Sequence, residues 1–304
     1  MTTAAVRTAA AALLERCRFP SPGTPLACAV SGGADSLALA VLGVEAGCVV
    51  TAYHVDHGIR AGSDREADRV EAATKALGCR FVPLSVECEL GPNLEARARA
   101  ARFAALPAGV ATGHTADDRA ETVLINLLRG AGPDGVVGMR PGPSHPILAL
   151  RRSETESVCA AVGLEPLADP TNTDPAFVRN RVRHELLPLM AAIAGRDPVP
   201  LLVRFAEVAS DDVALLEHLA GAIDERSVAE LGSAPLPLRR RALRRLVREA
   251  RATPYAPDLA TVARMLAVVD GSARGCDIGG GVHLRRSAGR LFVEPPTVVD
   301  DTVR

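Results

Sequence analysis

Residues 31–36 read SGGADS, set between the apolar runs LACAV and LALAVLG. Glycines let the main chain approach an anion closely, and successive N–H groups at a helix start form a concave anion site backed by the helix dipole. Gly32, Gly33 and Ala34 supply that backbone, and Ser31 and Ser36 add hydroxyl donors. A Walker-type loop would also need a lysine, and the chain's one Lys, Lys75, lies far away in the polar pattern DREADRVEAATKALG. Backbone donors without a lysine suit the holding of a pyrophosphate that leaves as a unit. Asp35 is unusual in an anion nest: it either caps the following helix or meets a Mg²⁺ that bridges the phosphates.

A second stretch, TGHTADDRAET (112–122), gathers His114, Asp117, Asp118 and Glu121 at the end of an expected strand and the first turn of a helix. Carboxylates at a helix N-terminus are ordinary caps. Here they also fall at the carboxyl edge of a parallel sheet, where ligands bind and where SGGADS lies. A third stretch, NTDPAFVRNRVRHELLP, puts Arg179 and Arg183 on one helix face with Asn180 and His184 following, and turns Arg181 away. A surface helix has this look, and so does a helix that offers arginine to a nucleotide or polynucleotide.

The elements needed to position these groups are legible as alternation. LACAV (26–30), VVTAYHV (49–55), RFVPLSV (80–86) and GVATG (109–113) read as strands. Between them SLALAVLGVEA, SDREADRVEAATKAL and NLEARARAARFAAL read as helices. Capping signals stand at Ser63/Glu66, Thr115/Asp118 and Ser153/Glu156. Such alternation implies a parallel sheet with covering helices. Beyond about residue 190, AIAGRDPVP reads as a linker, followed by helical patterns and a hairpin turning near Ser287–Gly289. The expected fold class is α/β, an open parallel sheet with helices on both faces over 1–195, then a smaller, mainly helical domain over 196–304.

Composition narrows the chemistry. The chain has 304 residues, 48% hydrophobic, with net charge −1, which is enough for a large core and two domains. Seven cysteines stand singly, at 17, 28, 48, 79, 88, 159 and 276, with no CxxC. Zinc knuckles, iron–sulfur clusters and disulfide frameworks are therefore not expected. No apolar run reaches the roughly 18 residues of a membrane span, and the N-terminus lacks a signal pattern, so a cytoplasmic protein is expected.

Charge is uneven. Residues 197–230 carry two basic and eight acidic residues, net −6, whereas residues 231–290 carry twelve and four, net +8. Within the basic stretch Arg240, Arg244, Arg248 and Arg251 share one helical face, with Arg241 and Arg245 beside it. With Glu249 the single acid among residues 239–251, this face reads as a phosphate-backbone surface.

SGGADS resembles the signature of the ATP pyrophosphatases (the PP-loop, adenine nucleotide alpha hydrolase-like superfamily), which split ATP between the α- and β-phosphates and adenylate a substrate. Within it, HVDHGIR (54–60), NLEARARAARF (93–103), TGHTADDRAETVLINLLRGAGPDG (112–135) and DPTNTDPAFVRNRVRHELLP (169–188) look closely like the tRNA(Ile)-lysidine synthetase family. The resemblance covers about residues 20–190 and is looser beyond. Long members carry a further C-terminal domain that helps grip the tRNA acceptor end, and this chain stops short of it.

The resemblance implies ATP and Mg²⁺ as cofactors, free L-lysine and a tRNA(Ile) with a CAU anticodon as substrates, and a homodimer. It implies that the C2 carbonyl oxygen of the wobble cytidine attacks the α-phosphate, that pyrophosphate leaves, and that the lysine ε-amino group then displaces AMP. By motif match Asp35 reaches Mg²⁺, Asp118 and Glu121 hold the lysine ammonium, and His114 or a carboxylate deprotonates it. Arg99, Arg102 or Arg183 offsets charge on the α-phosphate. His54, His57, Asp117, Arg179 and Arg181 are further candidates, and Arg240–Arg251 would hold the anticodon stem. The rivals are a thiolase-type tRNA enzyme, which would need catalytic cysteines, an amidating synthetase, which would need no basic domain, and a non-catalytic RNA chaperone.

Overall fold

The computed structural model describes residues 10–56, 63–86, 101, 103–167, 174–252 and 256–294. His57, Arg99, Arg102 and Cys88, with most of NLEARARAARF, lie outside the described residues. The chain divides into two compact units, Met1–Glu207 and Val208–Arg304. The sequence reading had set the division at 195/196, in the linker; it falls instead twelve residues later, inside a long helix.

In the first unit four strands, β1 (Pro25–Ala29), β2 (Val49–Asp56), β3 (Arg80–Ser85) and β4 (Ala111–Thr112), form a parallel sheet in the order β3-β2-β1-β4. All three pairings are parallel, with Cys28 opposite Ala52 on one side and Ala111 on the other. β1 is central, and the chain passes to neighbours on both sides of it. Where strand order reverses in this way, an open α/β sheet leaves a crevice at its carboxyl edge.

The helix after β1, α1 (Ala34–Glu45), is buried from Ser36 through Gly43 on all its faces. That is why its sequence LALAVLG is apolar without a polar stripe. Gly43 lets it lie close on the sheet: a Cβ there would sit 3.0 Å from Leu26 and 3.2 Å from Val50. α2 (Ser63–Ala76) is amphipathic instead, with Val70 and Thr74 inward and Lys75 outward in an exposed 2.8 Å pair with Glu71. The lone lysine thus stands on a solvated face, as its sequence context indicated.

α3 (Ala116–Leu128) packs its Ala116, Ala120, Leu124 and Ile125 against Val182, Leu187 and Val199. Those partners belong to a π-helical turn (Val182–Leu186) that continues α6 (Val178–Arg181), to α7 (Leu187–Ala194) and to the start of α8 (Val199–Gly221). Between lie the short α4 (Pro133–Val136) and α5 (Arg152–Ala161). The cap of α5 differs from expectation. It is Arg151, whose N–H donates to Glu154 Oε2 at 2.7 Å, rather than Ser153 paired with Glu156.

The second unit gathers α9 (Val228–Ser233), α10 (Leu236–Ala250) and α11 (Leu259–Asp270) on an antiparallel sheet of β5 (Gly275–Asp277), β6 (His283–Ser287) and β7 (Arg290–Glu294). Its core is Leu231, Leu243, Leu246, Met265, Val268, Ile278 and Leu284. The expected hairpin is present. Ala288 (φ +45) and Gly289 (φ +74) take the left-handed conformation that a two-residue turn between β6 and β7 requires. α9 and β5 carry too few residues for periodicity to reveal them. No single helix among the described residues is long and apolar enough to cross a membrane.

Candidate active site

The loop between β1 and α1 is built around Ser36. Its hydroxyl donates to Gly33 O at 2.9 Å and accepts from Ser31 N at 3.2 Å, closing the loop on itself. Gly32 has φ +90, and a Cβ there would strike Leu167 at 2.5 Å, so only glycine fits. The first intrahelical bond of α1 runs from Leu37 N to Gly33 O at 3.0 Å. The N–H groups of Ala34, Asp35 and Ser36 are therefore first-turn donors without helical acceptors, the arrangement that binds anions. His54, buried at the end of β2, places its Nδ1 2.8 Å from Val30 O and so braces the strand that feeds the loop.

β4 delivers the second stretch to the same place. Gly113 is pressed against the loop: a Cβ on it would lie 2.6 Å from Asp35 O and 2.8 Å from Ser36 N. Thr115 caps α3, its N–H and its hydroxyl both donating to Asp118 Oδ2 at 2.9 Å. Asp118 thus caps the helix through Oδ2, while its Oδ1 faces Arg152 at 3.1 Å.

The acids converge on arginines. Glu121, with no exposed surface, receives Arg183 through Nε at 2.7 Å and Nη2 at 3.0 Å, and Arg179 Nε stands 3.3 Å away. Arg179 and Arg183, four residues apart, reach α3 together because the apolar packing of Val182 and Leu187 fixes that helix face. Arg181 points away, exposed and paired with Glu185 at 3.1 Å. Asn180 and His184 do not join the cluster: Asn180 is buried and donates to Asp174 O at 2.8 Å, and His184 is exposed.

Residues that sequence reading passed over complete the site. Arg151 holds Asp117 with two 3.0 Å bonds and also pairs with Asp197. Arg152 reaches Asp35 Oδ2 at 3.4 Å, Asp118 Oδ1 at 3.1 Å and Glu121 Oε1 at 3.4 Å. Its backbone N–H donates to Asp117 Oδ2 at 2.8 Å, and the Thr155 hydroxyl donates to Asp35 Oδ1. The available signal was the Arg-Arg doublet after PILAL, at the start of a helix that had no other reason to begin with two cations.

These contacts set the charge states. Burial raises the Asp35 carboxyl above its ordinary value, and Thr155 and Arg152 offset this only in part. Burial also pushes Asp118 up, but Arg152, the Thr115 N–H, His114 and Arg179 outweigh it and hold the group low. Asp117 is likewise low, burial being outweighed by Arg151 and the Arg152 N–H. Asp118 is thus a persistent anion, whereas Asp35 lacks a full complement of positive charge.

Two histidines flank the acids. Thr112 Oγ1 donates to Ser144 O at 3.1 Å and lies 2.7 Å from His114 Nδ1 and 2.8 Å from His145 Nδ1. The hydroxyl thus joins both rings and the Ser144 carbonyl in one network. His145 was not singled out in sequence.

In the second unit the basic helix α10 splits by face. Arg241, 6% exposed, pairs with Glu217 at 2.7 Å, and Arg245 binds Glu225 at 2.6 Å and the Ala220 and Ile223 carbonyls. Both knit the unit together, so neither offers its charge to a ligand as the sequence reading expected. Arg240, Arg244 and Arg248 are half-buried on the other face, and Arg251 is exposed beside the Gly279–Gly280 turn.

Comparison with known proteins places the chain. Residues 4–190 match the PP-loop domain family and residues 227–292 the TilS substrate binding domain. The tRNA(Ile)-lysidine synthase of Nocardia farcinica is 40% identical over 74% of this chain and 76% of its own. That of Salinispora tropica is 39% identical over 94% of each. The Thermus thermophilus enzyme is 37% identical, and the match spans 94% of this chain but 60% of that longer one. Among solved structures, the U34-tRNA thiolase NcsA from Methanococcus maripaludis with its [4Fe-4S] cluster superposes with a TM-score of 0.50 at 16% identity. That match covers 67% of this chain and 80% of that one, a likeness of fold alone. A PP-loop domain over most of the first unit, a substrate-binding domain over the second, and relatives near 40% identity along the chain establish that it belongs to the tRNA(Ile)-lysidine synthase family.

Proposed function

We propose that this chain is an ATP-dependent ligase that joins the ε-amino group of L-lysine to carbon 2 of the wobble cytidine of a tRNA(Ile) bearing a CAU anticodon. The observation that carries the reading is the junction at Arg152: one guanidinium spans Asp35 of the phosphate loop and the Asp118–Glu121 pair. A phosphate site and a site for an ammonium therefore adjoin, which a reaction between a nucleotide-activated base and an amine requires.

The backbone of residues 31–36 holds the β- and γ-phosphates, which depart as pyrophosphate when the cytidine C2 oxygen bonds to the α-phosphorus. Mg²⁺ suits this place. Asp35 is an under-compensated carboxylate at the loop, and no group of three metal-ligating side chains occurs among the described residues. A cation held by one carboxylate and phosphate oxygens is the usual magnesium pattern. Bound there, it would neutralise charge accumulating on the leaving pyrophosphate. Arg183 and Arg179, steered by Glu121, supply guanidinium charge to the adenylated intermediate.

In the second step Asp118 and Glu121 receive the lysine ammonium. Its ordinary pKa near 10.4 means that a proton must leave before attack. His114, beside Asp118, accepts it. The amine then bonds to carbon 2 and AMP leaves with the oxygen. The wobble base must be unstacked to reach the site. Arg240, Arg244, Arg248 and Arg251 contact phosphates and position the tRNA without reading sequence.

The thiolase alternative finds no support in the described cysteines. All six are buried free thiols, and burial raises Cys17, Cys79 and Cys159 to about 11, far from a reactive thiolate. ATP labelled at the α-phosphate tests the order of events. Withholding lysine should leave the label as AMP on the tRNA, and adding lysine should discharge it. Free AMP formed equally well without tRNA would contradict the reading.

A further inference from the structure

Of the four guanidiniums at the site, two are held by paired bonds to a single carboxylate. Arg183 makes its paired contacts with Glu121, Arg151 makes its paired contacts with Asp117, and Arg179 has Glu121 with Thr122. Arg152 is different. Its three nitrogens go to three different acids at 3.4, 3.1 and 3.4 Å, beyond the 2.7–2.9 Å of a well-made charge-assisted bond. A cation so divided has no paired bond that an incoming cation must break, and it alone touches both the phosphate loop and the Asp118–Glu121 pair.

The oxygens it occupies are those an incoming ammonium would use. Its Nε already lies at Asp35, on the phosphate loop. At the centre Asp35, Asp117, Asp118 and Glu121, with Asp197 at Arg151, face Arg151, Arg152, Arg179 and Arg183, so the acids already occupy every guanidinium. ATP brings negative charge to the loop beside Arg152, and lysine brings positive charge to the acids that Arg152 occupies. Each therefore favours the other.

We propose that Arg152 is an exchangeable cation that couples the two substrate sites. Without ligands it neutralises Asp35, Asp118 and Glu121. When ATP fills the loop, the guanidinium turns to the phosphates, and the lysine ammonium takes the oxygens it leaves. The exchange rests on the reading of Asp118 and Glu121 as the ammonium site. By linkage, ATP tightens lysine binding and lysine tightens ATP binding by the same factor.

The test is equilibrium binding of labelled lysine to the full chain, with and without Mg²⁺ and a non-hydrolysable α,β-methylene ATP. The wild type should bind lysine about 5-fold or more tighter with the analogue, within the usual range of coupling. Arg152→Gln should bind lysine without the analogue about as tightly as the wild type does with it, and gain little more when it is added. Arg152→Lys, which keeps a mobile cation, should retain part of the coupling, and an unfolding midpoint near wild type confirms that each variant is folded. Coupling absent from the wild type, undiminished in Arg152→Gln, or lost alike in both variants would overturn the exchange. Lysine failing to bind under any condition while the analogue binds would instead overturn the ammonium-site reading, and the exchange with it.

Discussion

Arg183 meets Glu121 through two parallel bonds, Nε to Oε1 at 2.7 Å and Nη2 to Oε2 at 3.0 Å, at a carboxylate with no exposed surface. A lysine in place of that arginine keeps the charge but not the fork. Arg183→Lys should lower the rate of adenylation about 10²-fold, the scale of losing one preorganised donor, with tRNA affinity unchanged. Adenylation at the wild-type rate would remove Arg183 from the chemistry.

Glu121→Gln keeps the shape of the residue and removes its charge. Lysine KM should rise about tenfold or more while ATP KM changes little, since a charged contact contributes about 1.5–3 kcal/mol. Glu121→Ala is the poorer probe: it would strand buried guanidiniums and destabilise the unit by about 3–5 kcal/mol. Unaltered lysine kinetics in Glu121→Gln would refute the ammonium role.

Gly113 tests how closely β4 must approach the phosphate loop. Because a Cβ would meet main-chain atoms of Asp35 and Ser36, the loop itself has to shift in Gly113→Ala. ATP turnover should fall about 10²-fold, the effect of misplacing a reacting group by roughly 1 Å. Retained activity would mean that the loop adapts.

Asp117 gives a pH signature. Its folded pKa is depressed below 3.8, so its stabilising contribution is full above the unfolded value and disappears as pH falls through the lower folded value. Asp117→Asn should cost about 1–3 kcal/mol at pH 7, through its bonds to Arg151 and to the Arg152 N–H. The gap from wild type should stay constant down to about pH 5 and narrow below about 4, read by denaturant unfolding across pH. A gap that widened in acid would contradict the assignment.

The two faces of α10 should separate by assay. Arg241→Ala or Arg245→Ala should lower stability by about 1–3 kcal/mol through loss of the Glu217 or Glu225 pair, and affect tRNA binding only through folding. Neutralising Arg240, Arg248 and Arg251 together should leave the unfolding midpoint near wild type, weaken tRNA binding, and flatten its salt dependence by about one unit per lost contact. An unchanged salt slope would move the tRNA to another surface.

What the sequence made legible was local. SGGADS and the Thr115–Asp118 cap declare themselves because glycine conformations and helix capping are decided within a few residues. Strand–helix alternation likewise gave the parallel sheet. Arg151, Arg152, Thr155 and His145 were not legible, because their roles exist only where α5 and the segment before it meet the sheet edge, 30 to 120 residues from their partners. Arg241 and Arg245 misled for a related reason. A helical wheel locates them beside the arginine face but also flanking buried Ala242, Leu243, Leu246 and Val247. The partners that claim their charge, Glu217 and Glu225, come from the acidic stretch of residues 197–230, and a helical wheel of residues 239–251 cannot show that pairing.

The central claim is tested most directly by single turnover of the purified protein with ATP, Mg²⁺, radiolabelled lysine and a tRNA(Ile) transcript bearing CAU. One lysine incorporated at the wobble cytidine for each AMP released is the predicted result. AMP release without lysine in the tRNA would contradict it, leaving an adenylating enzyme that uses another nucleophile.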